Sequence, residues 1–253
     1  MKSRWSWLAL GVGAYLAIAL ATFPAATAVR WLVPAGVAVA GVEGTLWSGS
    51  ALTCSVGSFR AEALRWRVRP WALVLGRIDA TLEARIPDGF FSSDVALSPN
   101  RARFSGLRAA TTLSALAPLL PAARGMRGQA SLALESLELA DGWPTSVIGD
   151  LTVASLEAPP LVPNGTGALL ALGDYKVTFV PAPERALAAR FTDTGGPLAV
   201  TGTVQLDAAR AYTLDALIAT RPGAAEALVQ GIDIMTAEPD AEGRRRLTMT
   251  GSL

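Results

Sequence analysis

Histidine is absent from this chain of 253 residues. Its absence removes the commonest general base, the serine–histidine and cysteine–histidine dyads, and most zinc chemistry in one step. Cysteine is nearly absent too. The single one, Cys54, cannot close an intramolecular disulfide, so cysteine usage leaves the redox compartment undecided. Within LTCSV it reads as a small buried strand residue, with a reactive thiol or an intermolecular bridge as the alternatives. Charge is scarce: Asp, Glu, Lys and Arg make up 17% of the chain, and the formal net charge is +1. A nucleic-acid reader needs a clustered basic face interleaved with aromatics, and no such face is present, so nucleic acid is not an expected partner. What is abundant is apolar surface, at 51% of residues, a composition suited to burial and unsuited to disorder.

Catalytic signals are missing as well. Asp141, Asp150 and Asp174 all lie next to glycines, where aspartate serves turns by local hydrogen bonding, and nothing pairs them for acid–base work. Ser48 lacks both the flanking pattern of a nucleophile elbow and a histidine partner. Asn164-Gly165-Thr166 matches a glycosylation string but reads as a turn. No catalytic, cofactor-binding or metal-binding residue is assigned.

From Trp5 to Phe23 the chain carries no charge, with Lys2 and Arg4 in front and Pro24 behind. A helix over that stretch rises about 28 Å at about 1.5 Å per residue, close to the hydrocarbon thickness of a bilayer. A cleaved secretory signal competes with this reading, because Ala26-Thr27-Ala28 offers a small-x-small site. The uninterrupted run exceeds the usual signal core of about 7 to 15 residues, which favours an uncleaved anchor. Trp5 and Trp7 at one end and Trp31 beyond the other suit the membrane interfaces. Positive charge before the span keeps the N-terminus cytoplasmic and sends the remainder across. The expected organisation is a tail at 1–4, a transmembrane helix at 5–23, a linker and first strand at 24–40, and a β-rich domain at 41–253.

The β-rich domain opens with GVEGTLWSGSA (residues 41–51), read as a glycine, a strand-preferring run of Thr45, Leu46 and Trp47, and a second glycine before the strand continues. Next, Leu64, Trp66 and Val68 alternate with Arg65, Arg67 and Arg69, a period of two that puts apolar groups on one face and guanidinium groups on the other. Pro70 interrupts that strand, and alternation resumes through Ile78, Ala80, Leu82 and Ile86. Pro87-Asp88-Gly89 reads as a hairpin turn, with return strands at 90–97 and 102–107. Leu113, Leu116 and Leu120 recur at helical spacing within 111–120, predicting a short helix over one end of the sheet. Seven more strand segments follow at 129–139, 147–156, 173–180, 185–191, 197–206, 212–219 and 246–251, with a turn or two of helix at 223–229. The expected fold is mainly β: one antiparallel meander curled into a barrel-like or gutter-shaped form, with one or two short helices. Arg65, Arg67 and Arg69 form a candidate interaction face for an acidic partner or anionic headgroups; the plainer reading is a solvated strand face paired with Glu62 or Glu83. Arg244, Arg245 and Arg246 carry the same ambiguity, with a solvated turn favoured.

A charged tail and apolar run, then GVEGTLWSG (41–49), then LRWRVRPWALVLG (64–76), then a β-rich remainder containing GDYKVTF (173–179) and PLAVTGTVQL (197–206), together resemble the type II secretion system protein N family. The resemblance covers nearly the whole chain, and the two early motifs hold most of its specificity, through Gly44, Thr45, Leu46, Trp47, Gly49, Leu64, Trp66 and Pro70. It implies a non-enzymatic accessory subunit in the inner membrane of a Gram-negative bacterium, its β domain periplasmic, with other secretion subunits as partners. Structural roles are implied for the motif residues: glycines where backbones approach, tryptophans filling a core or crossing a sheet. A fold-level analogy to gutter-shaped lipid-handling proteins supplies the alternative, an anchored module for lipid or another apolar ligand.

Overall fold

Alternation in the sequence becomes sheet almost everywhere it occurs. The computed structural model describes residues 11–15, 18–33, 36–57, 59–120, 123–160, 168–181, 187–207, 211–236 and 238–252. Within them lie β1 (Val37–Gly44), β2 (Ser48–Val56), β3 (Phe59–Arg69), β4 (Ile78–Ile86), β5 (Gly89–Ser98), β6 (Arg101–Thr112) and β7 (Arg127–Ala140). The series continues with β8 (Trp143–Ala158), β9 (Leu170–Pro181), β10 (Leu187–Gly195), β11 (Leu198–Leu206), β12 (Ala211–Thr220) and β13 (Arg245–Ser252). These thirteen strands lie side by side in chain order, each antiparallel to the next. Tight turns explain the order. Asp141 (φ 51°) and Gly142 (φ 76°) both take the left-handed conformation that a two-residue type I′ hairpin requires.

Cross-strand registers separate two faces. On one, Ala109, Leu132, Leu151, Val177 and Phe191 stand opposite one another in successive strands; one residue along, the row reads Arg108, Ala133, Asp150, Thr178 and Arg190. The first row faces inward and the second faces solvent. Bulges add local bend and twist to the sheet: the register shifts between Glu62 and Arg65, where Ala63 sits at φ 49°, and between Val153 and Leu156, where Ser155 sits at φ 51°. The result is a gutter. The barrel-like alternative is corrected, because β1 and β13 are each paired on one side only and do not meet. The inner face beside β11 and β12 is sealed by a helix, so burial there does not depend on joining the edges.

That helix, Glu226–Met235, lays Leu228 and Ile232 onto Leu198 and Val200, all four buried, with Phe191 and Ile218 packed around them. A second buried cluster, Leu107, Leu134 and Val147, occupies the centre of the sheet, and among the described residues the hydrophobic side chains packed against it all come from strands. The helix expected over 111–120 is one turn, Leu113–Leu116, because Thr111 and Thr112 belong to β6; the Thr112 hydroxyl accepts from Ala115 N at 3.4 Å. Pro70 starts a 3-10 helix, Pro70–Leu75, which Gly76 ends at φ 70°. Within the expected linker, Ala25–Leu32 is helical, begun by Pro24 and packed through Ala25 and Ala28.

Residues 11–15 and 18–21 are helical and exposed. The expected tail at 1–4 and parts of the expected span at 5–23 lie outside the described residues, as do 161–167 with Asn164. Among the described residues, no helix is long and apolar enough to cross a membrane.

Candidate functional site

The inner face between β2 and β9 forms an apolar groove of about 670 Å³, within the range of roughly 300–1,000 Å³ of ligand pockets. Alternation puts one face of each strand into it: Cys54 from β2, Leu64 from β3, Phe91 from β5, Leu132 from β7, Leu151 from β8 and Phe179 from β9. Leu113, Leu116 and Leu120 overhang one end. Among the described residues, no charged side chain lines it. The hydroxyl among its described lining residues, on Thr111, is buried and commits its proton to the Pro87 carbonyl at 2.8 Å. Most of the lining is only half-buried. Chemically, this surface can shield an apolar group from water, and the Cys54 thiol and Thr111 hydroxyl are the polar side chains among its described lining residues.

The stretch 41–51 is a hairpin and not one continuous strand. Thr45, Leu46 and Trp47 form its turn despite their strand preference: Thr45 closes the hairpin by donating its N–H to Ser48 O at 2.9 Å, while Leu46 and Trp47 are engaged outside the β1–β2 ladder. Leu46 N donates to Phe23 O at 2.9 Å, the Trp47 indole donates to Leu20 O at 2.7 Å, and Pro24 bridges to Thr45. Trp47 O in turn accepts from Val68 N at 2.6 Å. Gly44, at φ 88°, approaches the Ser48 carbonyl so closely that a Cβ would lie 2.6 Å from it. Gly49 lies under the Trp66 ring, and its Cβ would also lie 2.7 Å from Glu43 O; an aromatic laid over a cross-strand glycine is a known way to cover sheet backbone. Trp66 donates to Leu46 O at 3.2 Å. Leu64 points into the groove, Trp47 is half-buried, and Pro70 is exposed at the first position of the 3-10 helix. The motif residues thus converge on one corner, where the N-terminal segment joins the sheet.

Arg65, Arg67 and Arg69 lie exposed on the outer face of β3, opposite Glu83, Thr81 and Asp79. Glu62 stands opposite Arg85. The C-terminal arginines are engaged in ion pairs: Arg244 with Asp240 and Glu242, Arg245 with Asp233, and Arg246 with Asp215. Of the three aspartates considered for catalysis, Asp141 makes a turn, and Asp174 accepts from Ser155 N at 2.6 Å inside a bulge. Asp150 sits on the outer face, held below the usual carboxylate range first by the Thr178 hydroxyl at 2.6 Å and then by Lys176 at 3.2 Å. They are not brought together. Cys54 is half-buried in the groove wall. Among the described residues, no group of three or more His, Cys, Asp or Glu is placed to hold a metal.

Two features had no sequence signal. Asp193, with its side chain 8% exposed, accepts from Val200 N and pairs at 2.6 Å with Arg221, which also donates to the Gly196 and Leu198 carbonyls. Those residues are 28 apart in the chain and carry no local pattern. The apolar exposure of the 3-10 helix was equally hidden, although Pro70 and Gly76 bracket it.

A family model described as Type II secretion system (T2SS), protein N, matches residues 35–248, which takes in β1 to β12 and the first half of β13. The chain is similar to a protein of Aeromonas hydrophila named Type II secretion system protein N, with 26% identity over 260 residues that span the whole of both chains. No solved structure matches it.

Proposed function

The chain belongs to the type II secretion system protein N family, and from that premise we propose that it is a non-enzymatic accessory subunit of this secretion system. It is held in the inner membrane by residues 5–23, with its N-terminus in the cytoplasm and its sheet in the periplasm, where it contacts other subunits of the system. The family match along almost the entire sheet carries this reading. Charge placement around the N-terminal apolar run supports the topology, and the lack of polar machinery in the groove suits a structural role. Deleting the gene should impair secretion of folded periplasmic cargo while leaving export across the inner membrane intact; normal secretion in the deletion strain would overturn the assignment. Washing membranes with carbonate should leave the chain in the pellet, and its release would overturn the anchor.

One observation favours a second reading alongside the first. Leu132, Leu151 and Phe179 line an inner face that, among the described residues, is overhung at one end by Leu113, Leu116 and Leu120 and otherwise left half-open, which suits an apolar ligand such as a lipid. Native mass spectrometry of detergent-extracted protein should then detect a co-purifying lipid, and its absence would count against this reading.

A further inference from the structure

We propose that the sheet end carrying the Pro70–Leu75 helix rests on the lipid bilayer, with Trp71, Leu73 and Leu75 in the interface and neighbouring arginines facing headgroup phosphates. The proposal rests on the reading above that residues 5–23 cross the inner membrane.

Three apolar side chains on one short helix are turned to solvent: Trp71 is 57% exposed, Leu73 43% and Leu75 65%, while Ala72 at 0% pins the helix to the sheet. Such a helix is not failing to pack; it is packed through Ala72 and presents Trp71, Leu73 and Leu75. Ile78 and Leu97, cross-strand partners at the same end, add further exposed apolar surface. Arg67 and Arg69 precede the helix, Arg77 follows it, and Arg101 begins β6 at the same end, all of them exposed. Arg77 Nε lies 3.2 Å from Asp79 Oδ1, in ion-pair range but without hydrogen-bond alignment. Arg67 and Arg69 have no ion pair or side-chain hydrogen bond among the described residues. The acidic groups nearby are Asp79, engaged by Arg77, Glu43 at the end of β1 with Glu83 beside Arg67, and Glu138 and Asp141 on the side of Arg101, which leaves Arg69 and Arg67 the arginines nearest the helix without an ion pair among the described residues. A tryptophan and leucines ringed by arginines is the composition of a surface that sinks about 5–10 Å into an anionic headgroup region.

Continuity with the N-terminal segment selects a bilayer over a protein partner. Leu20, Phe23 and Pro24 fasten to the 45–47 turn, and Trp47 fastens to Val68, two residues before Pro70. The segment read as the span therefore joins the sheet at the corner where these apolar side chains lie. The opposite end of the sheet exposes Leu119 and Leu120, and among the described residues no contact of the 18–24 segment reaches it.

The test uses the full chain with Cys54→Ser, reconstituted in vesicles of phosphatidylethanolamine and phosphatidylglycerol. An environment-sensitive fluorophore is placed at Leu73→Cys or, in case that variant misfolds, at Leu75→Cys, with Leu119→Cys as the opposite end. A lipid-borne quencher should dim the probe at 73 or 75 several-fold more than at 119. Equal quenching at both ends, or protection at 73 that arises only when other secretion subunits are added, would overturn the bilayer contact. Carbonate extraction of the unlabelled chain separates this from the anchor. A chain that stays in the membrane with a water-exposed probe at 73 overturns the tip and spares the anchor; a released chain whose probe still docks on vesicles overturns the anchor and supports the tip.

Discussion

One sheet has two interiors. Beside β11 and β12 the Glu226–Met235 helix closes the gutter, burying Leu198, Val200, Leu228 and Ile232, and the Asp193–Arg221 pair fastens the β10–β11 turn beneath it. Between β2 and β9 the same alternating pattern leaves Leu132, Leu151 and Phe179 half-open around a groove. Both regions have strands of the same design; what differs is whether a later segment returns across the apolar face. Stability is therefore concentrated where the face is covered, and capacity for an apolar ligand where it is not.

Truncation should separate the two regions most strongly at Leu228. Leu228→Ala empties a covered site and should lower stability by about 2–5 kcal/mol, read from denaturant unfolding. Arg221→Ala leaves the nearly buried Asp193 carboxylate unpaired; wholly buried pairs cost about 3–5 kcal/mol when broken, and because Arg221 is 41% exposed a loss of about 2–3 kcal/mol is expected. Leu132→Ala, in the open groove, should cost less than about 2 kcal/mol, since much of that side chain already meets solvent. A cost at Leu132 equal to that at Leu228 would erase the distinction.

The smallest effect concerns pH. Tyr175 packs against the covered cluster, and burial, followed by the Asp193 charge, raises its phenol above the ordinary value. Neutral tyrosine is thus favoured in the folded state. Its contribution is complete at neutral pH and is lost as pH climbs past the ordinary phenol range, about 10, through the raised folded value. Tyr175→Phe should flatten the fall in stability above that pH while leaving stability at pH 7 within about 1 kcal/mol, allowing for the lost hydrogen bond to Leu172 O.

Much of the strand layout was legible because period-two alternation and turn residues agree, as at Pro87-Asp88 and Asp141-Gly142. The turn at Thr45–Trp47 was not, since its residues prefer strand and their partners, Leu20 and Phe23, lie more than twenty residues earlier. The linker helix Ala25–Leu32 is not legible, because eight residues after a proline carry too short a pattern. The groove was legible only as a face. Alternation says which side chains point inward, but whether anything covers them depends on the placement of distant segments such as 226–235. The motif glycines and tryptophans could be singled out, yet their common corner emerged only from the long-range bonds to the N-terminal segment.

Cys54 gives the most direct reading of the open interior, because it is the only cysteine in the chain and stands in the groove wall. Its labelling rate should be measured in the native full chain with a small uncharged maleimide, alongside the rate of global unfolding. An open groove predicts that Cys54 reacts without unfolding, and that filling the groove with a lipid slows the reaction. Labelling that occurs only at the rate of global unfolding would show the interior packed shut and contradict the account.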